Sequence, residues 1–343
     1  MRVLMVGHYP PHKGGVAKHL ENLVKELRGR HEVHVLTYGP VKPREFEKDF
    51  VHHVRVPPVY GIRGTSFALL ASRKIVELHR EFGFDVVHAH FVGTTSFSGV
   101  IAKEKTGLPL VVTAHGSDLE HTSKLPLGSF YVKKSLESAN AVIAVSHYLA
   151  ARAIALGAKS VKVIPNGLGH LKKKTGKREF ITFIGALRDY KAPEDFIELA
   201  RNFPELKFLV VGEGPLKKSL ERIAPENVSF LGYREDVDDI LSKSILLVLP
   251  SKREGFGLVV IEANYLGVPV IGRRISAIPE LIREGKNGMT FESFEELVEK
   301  TNKLLERKVN RKLGHTGEKV AEKFTWRNVA ERVEEVYLSV VKS

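Results

Sequence analysis

The sequence predicts an α/β protein built from two doubly wound Rossmann-like domains facing an interdomain cleft. Three observations lead there. Short β-branched runs alternate with helical patterns, the alternation starts afresh after residue 180, and a stretch rich in Gly and Lys separates the two series. Such alternation places parallel strands under helices on both faces.

In the first series the strand-like runs are Val3–Val6, Val33–Thr37, Val86–His88, Leu110–Thr113, Val142–Val145 and Val161–Ile164. The second series holds Phe180–Ile184, Phe208–Val211, Val228–Leu231, Ile245–Leu249 and Val268–Ile271, with helical patterns over 193–201 and 257–266 between them. Domains are therefore expected at 1–165 and 180–325. The glycine-punctuated, like-charged stretch 166–179 is read as the linker. A helical pattern over 326–341 follows the last strand and is expected to cross back to the first domain.

At 343 residues and 43% hydrophobic content the chain is long enough for two cores. No apolar run approaches the length of a membrane span, and Arg2-Val3-Leu4-Met5-Val6 reads as a strand and not as a signal peptide, so a cytoplasmic protein is expected. Zero cysteines exclude disulfides, thiolate metal sites and cysteine nucleophiles. Absent Gln with heavy Lys, Arg and Glu usage points to a thermophilic source. The net charge of +13 is uneven: residues 1–165 hold 22 Lys or Arg against 13 Asp or Glu. A basic first half suits a phosphorylated substrate, an anionic membrane face or nucleic acid, and equally a lysine-solvated surface.

Ligands of open parallel sheets bind beyond the carboxyl ends of the strands, so the loops that follow strands carry the chemistry. After the first strand, Gly14-Gly15 precedes an amphipathic helix; paired glycines there suit close approach of an anion to free N–H groups, and equally a tight turn. Leu110–Thr113 runs into Ala114-His115-Gly116-Ser117-Asp118, which sets an imidazole at a strand end where it can bond a hydroxyl or move a proton. A structural histidine would look the same. His88 and His90 alternate on a strand end without a third ligand nearby in sequence, so no metal site is expected. In the second half, Arg188 and Lys191 leave a buried strand and suit a diphosphate, Arg188 as a fork and Lys191 as a point charge. Gly212-Glu213-Gly214-Pro215 reads as architectural. Tyr233 is placed to flank a nucleotide base.

The most specific stretch is SKREGFGLVVIEANYLGVPVIG, 251–272. Glu254 lies in the loop after a strand, Gly255-Phe256-Gly257-Leu258 opens a helix, and Glu262 sits inside it among apolar residues. Eight residues at helical rise span roughly 12 Å. That separation suits the two ends of a nucleotide sugar: a diphosphate over the helix N-terminus, ribose hydroxyls on Glu262 and sugar hydroxyls on Glu254.

At these residues the chain resembles the retaining glycosyltransferases of family 4, which have the GT-B fold. The resemblance runs through Pro11–Gly15, Asp85–His90, Ala144–Ser146, Ile164–Gly167, Glu254–Glu262, Pro279-Glu280 and the Trp326 helix. It implies that Glu254 and Glu262 form the family's pair of glutamates, that His115 is the active-site histidine near the donor sugar, that Gly15 lies near the phosphates, and that Lys191 is the basic residue on the diphosphate. It makes 180–325 the donor domain and 1–165 the acceptor side. Three positions depart from the family pattern. Ala186 stands where Arg is common, with Arg188 supplying the charge; Ser276-Ala277 replace a Gly-Gly pair; and Leu168-Gly169 replace a hydrophobic-Asp pair.

The expected activity is transfer from a UDP- or GDP-sugar, itself the substrate, with no cofactor and no metal. Arg188, Lys191 and the helix at Gly257 would stabilise the leaving phosphate. A non-catalytic nucleotide-sugar-binding module and a GT-B sugar-nucleotide 2-epimerase are the rival readings. A glycoside hydrolase needs its carboxylates closer together. For the acceptor, a glycan or a lipid-linked sugar stays open. Tyr60, Arg63, Phe67, Leu69, Leu70, Arg73 and Lys74, and again Leu125–Lys134, mix apolar and basic residues as a peripheral contact with an anionic membrane would. A helix covering its own sheet has the same pattern and is preferred. Nucleic acid is not expected, because interleaved exposed aromatics are missing.

Overall fold

The architecture is that of a computed structural model, described for residues 1–12, 14–39, 49–57, 63–169, 171–173 and 176–342. Tyr60 lies outside those residues. The chain forms two compact units, Met1–Gly167 with Trp326–Ser343, and Leu168–Thr325.

Unit 1 carries a seven-stranded, wholly parallel sheet. Its strands are β1 (Arg2–Val6), β2 (Glu32–Tyr38), β3 (Val51–Val54), β4 (Val86–His90), β5 (Leu110–Ala114), β6 (Ala141–Ala144) and β7 (Val161–Val163). Their spatial order is β3-β2-β1-β4-β5-β6-β7. The order reverses between β1 and β4, and at such a switch point the crossover connections diverge to opposite faces and leave a crevice at the strands' carboxyl ends. The helix Trp326–Val341 belongs to this unit: Trp326, Val329, Ala330, Val333, Val336, Tyr337 and Val340 recur at helical spacing and join one core with Val3, Met5, Leu20 and Val33.

Unit 2 carries a six-stranded parallel sheet of β8 (Phe180–Ile184), β9 (Lys207–Val211), β10 (Val228–Gly232), β11 (Ser244–Leu249), β12 (Val270–Arg273) and β13 (Gly288–Phe291), ordered β10-β9-β8-β11-β12-β13. Here the switch point lies between β8 and β11. Its core centres on Phe183, Phe196, Phe208, Val248 and Phe291.

Three details differ from the sequence expectation. Strands β3 and β13 were not foreseen. Each has four residues, and β3 interrupts its apolar alternation with His52 and His53; His52 accounts for itself by bonding His34 of β2 at 2.9 Å. The expected linker at 166–179 is instead divided between the units. Asn166 is buried in unit 1, while Leu168 pairs with Thr325 and Arg178 donates to the Gly267 and Leu266 carbonyls of unit 2. The chain passes between units at Gly167–Leu168 and Thr325–Trp326. Among the described residues no helix is long and apolar enough to cross a membrane.

Candidate active site

In unit 2 the loops after the two switch-point strands are tied together. The Lys252 N–H donates to the Tyr190 carbonyl at 2.8 Å, so the loop after β11 runs beside the loop after β8. This brings Lys191 to Glu254: the ammonium and the carboxylate form an ion pair, with both side chains mostly buried. Ser251, fully buried, donates its hydroxyl to the same carboxylate oxygen at 2.9 Å. A charge in that position must be compensated, because desolvation of a lone carboxylate costs several kcal/mol.

The loop after β8 rests on the loop after β9. Leu187 N–H donates to the Glu213 carbonyl at 3.0 Å, and a Cβ on Gly212 would fall 1.9 Å from the Gly185 carbonyl oxygen. No side chain fits there, which gives Gly212 an architectural task and fixes the path to Arg188 and Lys191. Arg188 is exposed. The helix Leu258–Tyr265 starts from Gly257 at φ +99°, and no side chain caps it, an arrangement that suits an anion at its N-terminus. Glu262 is buried in its second turn.

Not every expected donor contact has its side chain in this group. Phe256 is buried and packs edge-on against Phe324 at 6.0 Å, so its ring anchors the loop. Gly255 and Leu258 are half-buried beside it. Tyr233 stands about half exposed after β10, the edge strand, two strands from β8. Ser276 takes φ +50°, a conformation that glycine adopts without strain, which explains the glycine of the family pattern at this position. Ala277, next to it, donates its N–H to the Glu254 carbonyl.

Two residues of this group went unnoticed in the sequence. Ser251 directly follows Pro250 at a strand end, a position that could have drawn attention. Arg273, at the end of β12, donates to the Pro250 carbonyl at 3.1 Å and pairs with Asp195 of the helix Pro193–Arg201. It thereby ties the loop after β11 to the helix Pro193–Arg201, and nothing in its local sequence signals that.

In unit 1, Gly14 and Gly15 are exposed at the uncapped start of the helix Gly15–Leu27, beyond the switch-point strand β1. His19 of that helix packs against His115 with ring centroids 4.8 Å apart. His115 is partly exposed at the end of β5. Its backbone is held by Asp118, a fully buried carboxylate that accepts the N–H groups of Val92 (3.0 Å), His115 (3.0 Å), Gly116 (2.7 Å) and Leu119 (3.0 Å). A short Asp just after a glycine turn is the sequence signal for such a bond set. Replacing Asp118 by Ala strands four N–H donors, each worth about 1–3 kcal/mol when buried and unsatisfied. Unit 1 should lose about 3 kcal/mol or more in a urea melt, with Asp118→Asn recovering part of it.

His88 is structural: its ring nitrogens meet the Tyr337 hydroxyl at 2.6 Å and the Thr113 hydroxyl at 2.7 Å. Burial lowers the His88 pKa to about 3 and that of His19 to about 4, and pushes His90 and His115 well below the usual value. These imidazoles are neutral near pH 7. His115 can therefore accept or donate one hydrogen bond there without carrying charge.

The expected apolar-basic surfaces are of two kinds. The helix Arg63–Phe82 turns Phe67, Ala71, Ile75 and Leu78 inward over its own sheet, leaving Leu69 outside. Around the helix Pro126–Ser138, by contrast, Leu125, Leu127 and Phe130 are about half or more exposed beside Lys124, Lys133 and Lys134.

Residues 13–169 match the model of Glycosyltransferase Family 4, and residues 171–320 that of Glycosyl transferases group 1. An uncharacterized glycosyltransferase of Methanocaldococcus jannaschii is 30% identical over 98% of this chain and 98% of its own. The N-acetyl-alpha-D-glucosaminyl L-malate synthase of Bacillus anthracis is 28% identical over 97% and 96%. Among solved structures, HepE of Anabaena in complex with UDP-glucose superposes with a TM-score of 0.83 at 21% identity, over 99% of this chain and 100% of that one. Sucrose-phosphate synthase of Thermosynechococcus elongatus gives 0.84 at 18%, over 98% of each. These two likenesses establish the two-domain GT-B fold.

Proposed function

The chain belongs to Glycosyltransferase Family 4, and from that membership we propose that it moves a sugar from a UDP- or GDP-sugar to a glycan or lipid-linked acceptor with retention of anomeric configuration. The observation that carries this reading is the buried Lys191–Glu254 pair at the switch point of unit 2, beside an uncapped helix N-terminus. Without ligand the two charges neutralise each other. With a nucleotide sugar bound, Lys191 and Arg188 turn to the diphosphate with the N–H groups at Gly257 and Leu258, while Glu254 accepts from hydroxyls of the transferred sugar and Glu262 from the ribose. His115 is the proposed partner of a sugar hydroxyl.

In the transfer step the bond from the anomeric carbon to the phosphate oxygen breaks and a bond to the acceptor oxygen forms on the same face. The acceptor's proton passes to the departing phosphate oxygen. Lys191, Arg188 and the helix amides supply the charge stabilisation that the leaving diphosphate needs, so the step calls for no metal. HepE of Anabaena, which binds UDP-glucose, supports the donor class.

A panel of UDP- and GDP-sugars, tested by thermal shift in EDTA, examines this. One donor should stabilise the protein by about 2.7 kcal/mol at a hundred times its Kd, several degrees in Tm. Lys191→Ala should abolish the shift. A flat panel, or a shift that appears only with Mg2+, would defeat the reading.

The acceptor side is assigned to unit 1, where the Leu125, Leu127 and Phe130 surface beside lysines fits an anionic lipid face. Co-sedimentation with vesicles containing anionic phospholipid should be detectable at low salt and fall when Leu127 and Phe130 are both changed to Ser. Vesicle binding that is indifferent to these changes would remove the assignment.

A further inference from the structure

Unit 1 gathers three histidines from separate parts of the chain. His19 comes from the helix Gly15–Leu27, His90 from the end of β4 and His115 from the turn after β5, and one ring nitrogen of each lies within 4.8 Å of the others. Gly7, at the end of β1, makes room: a Cβ there would approach His90 to 3.1 Å and Leu20 to 3.2 Å. His19 and His90 are buried, and His115 is partly exposed.

The hydrogen bonding of this group is incomplete in a telling way. Among the described residues, both ring nitrogens of His90 and the Nε2 of His115 are buried without a hydrogen-bond partner. Leaving such atoms unsatisfied is costly, and native interiors rarely do it without a ligand or water in the gap. His19 is arranged differently. Its Nδ1 faces the Asn166 side-chain oxygen at 2.7 Å, and since that oxygen can only accept, Nδ1 carries the proton and Nε2 keeps its lone pair. An outer amide oxygen that fixes the tautomer is how metal-binding imidazoles are usually oriented.

We propose that His19, His90 and His115 bind one borderline-soft divalent cation of the Zn2+ class, with Asn166 as the residue that orients His19. Three imidazoles with one position left open match the ligand set of such ions. Tetrahedral bonds of about 2.0–2.1 Å place ligand nitrogens about 3.4 Å apart, so the rings close inward by a modest rotation. The buried Asp118 in the same turn as His115 adds negative charge close by. Mg2+ and Ca2+, which need oxygen ligands, do not fit. No third ligand stands near His88 and His90 in sequence, which argues locally against a metal; folding brings two partners to His90 from residues far away in the chain. The site shares His115 with the proposed donor reading; its test uses neither donor nor acceptor, so either reading can fail without the other.

Chelator-treated full-length protein is titrated with ZnCl2 by calorimetry and with CoCl2 by visible absorption. One equivalent of Zn2+ should bind, and Co2+ should give the spectrum of a four-coordinate site that Zn2+ bleaches. His90→Gln should remove both signals. Asn166→Ala, which keeps all three ligands, should weaken binding about 10- to 100-fold. His52→Gln, at the separate His34–His52 pair, should change nothing. No stoichiometric uptake, uptake that survives both His90→Gln and Asn166→Ala, uptake lost in His52→Gln, or equal affinity for Mg2+ would each overturn the proposal.

Discussion

Changing Lys191 to Met is expected to lower kcat by about 100- to 1000-fold, the range found when one preorganised electrostatic group is removed from a developing charge. The same change should destabilise unit 2 by about 3 kcal/mol, because it leaves the Glu254 carboxylate buried without its counter-ion. These two effects separate in the double variant. Lys191→Met with Glu254→Gln removes both charges and leaves Ser251 a neutral acceptor, so most of the stability should return. Activity should not return, since neither the diphosphate nor the sugar regains its partner. A purely structural ion pair predicts the opposite: activity would track stability, and the double variant would work. Urea melts and initial rates on the wild type, both single variants and the double variant decide the matter.

Much of this site could be read from the chain, and the limits have physical causes. Glu254 and Lys191 were legible because each follows a strand whose apolar run is plain, and strand-following loops are where open sheets bind ligands. That they touch was not legible, since the contact depends on β8 and β11 being neighbours, a matter of strand order across 63 positions of sequence. Phe256 shows the reverse error. Lying between two glycines of the loop proposed to hold the donor, it is expected from sequence at the ligand, but a large apolar ring gains more by burial against Phe324 than by exposure. The histidine group of unit 1 failed for the reason given by distance: His19, His90 and His115 share no local pattern. Only the parallel pairing of β1, β4 and β5 at their carboxyl ends assembles them. Strands β3 and β13 escaped because their apolar runs are broken, β3 by His52 and His53 between its two valines and β13 by Gly288 and Thr290.

Unit 1 should lose stability steeply between pH 6.5 and pH 5, while unit 2 does not. The sign follows from proton binding. His19 and His88 hold pKa values of about 4 and about 3 in the folded chain because burial penalises their charged forms, and His90 and His115 are also pushed well below the usual value. On unfolding each returns to about 6.5, so the unfolded state binds the extra protons in this window and gains stability as pH falls. At pH 5 the gap amounts to about 2 kcal/mol for each of His19 and His88, of the order of 4 kcal/mol together, with His90 and His115 adding in the same direction, against a typical total of about 5–15 kcal/mol. The loss continues toward pH 4 for His19 and pH 3 for His88, where the folded forms begin to take up protons themselves. Unit 2 has only His170 and His315. The chain's single tryptophan, Trp326, lies in the core of unit 1 with its ring 5.0 Å from that of His19, so its fluorescence reports this unit alone. Urea melts followed by that signal, in EDTA so that no cation holds the imidazoles together, should show a midpoint that drops sharply from pH 7 to pH 5. Equal midpoints at the two pH values would mean that the imidazoles are not held neutral, and the uncharged character assigned to His115 would fall with them.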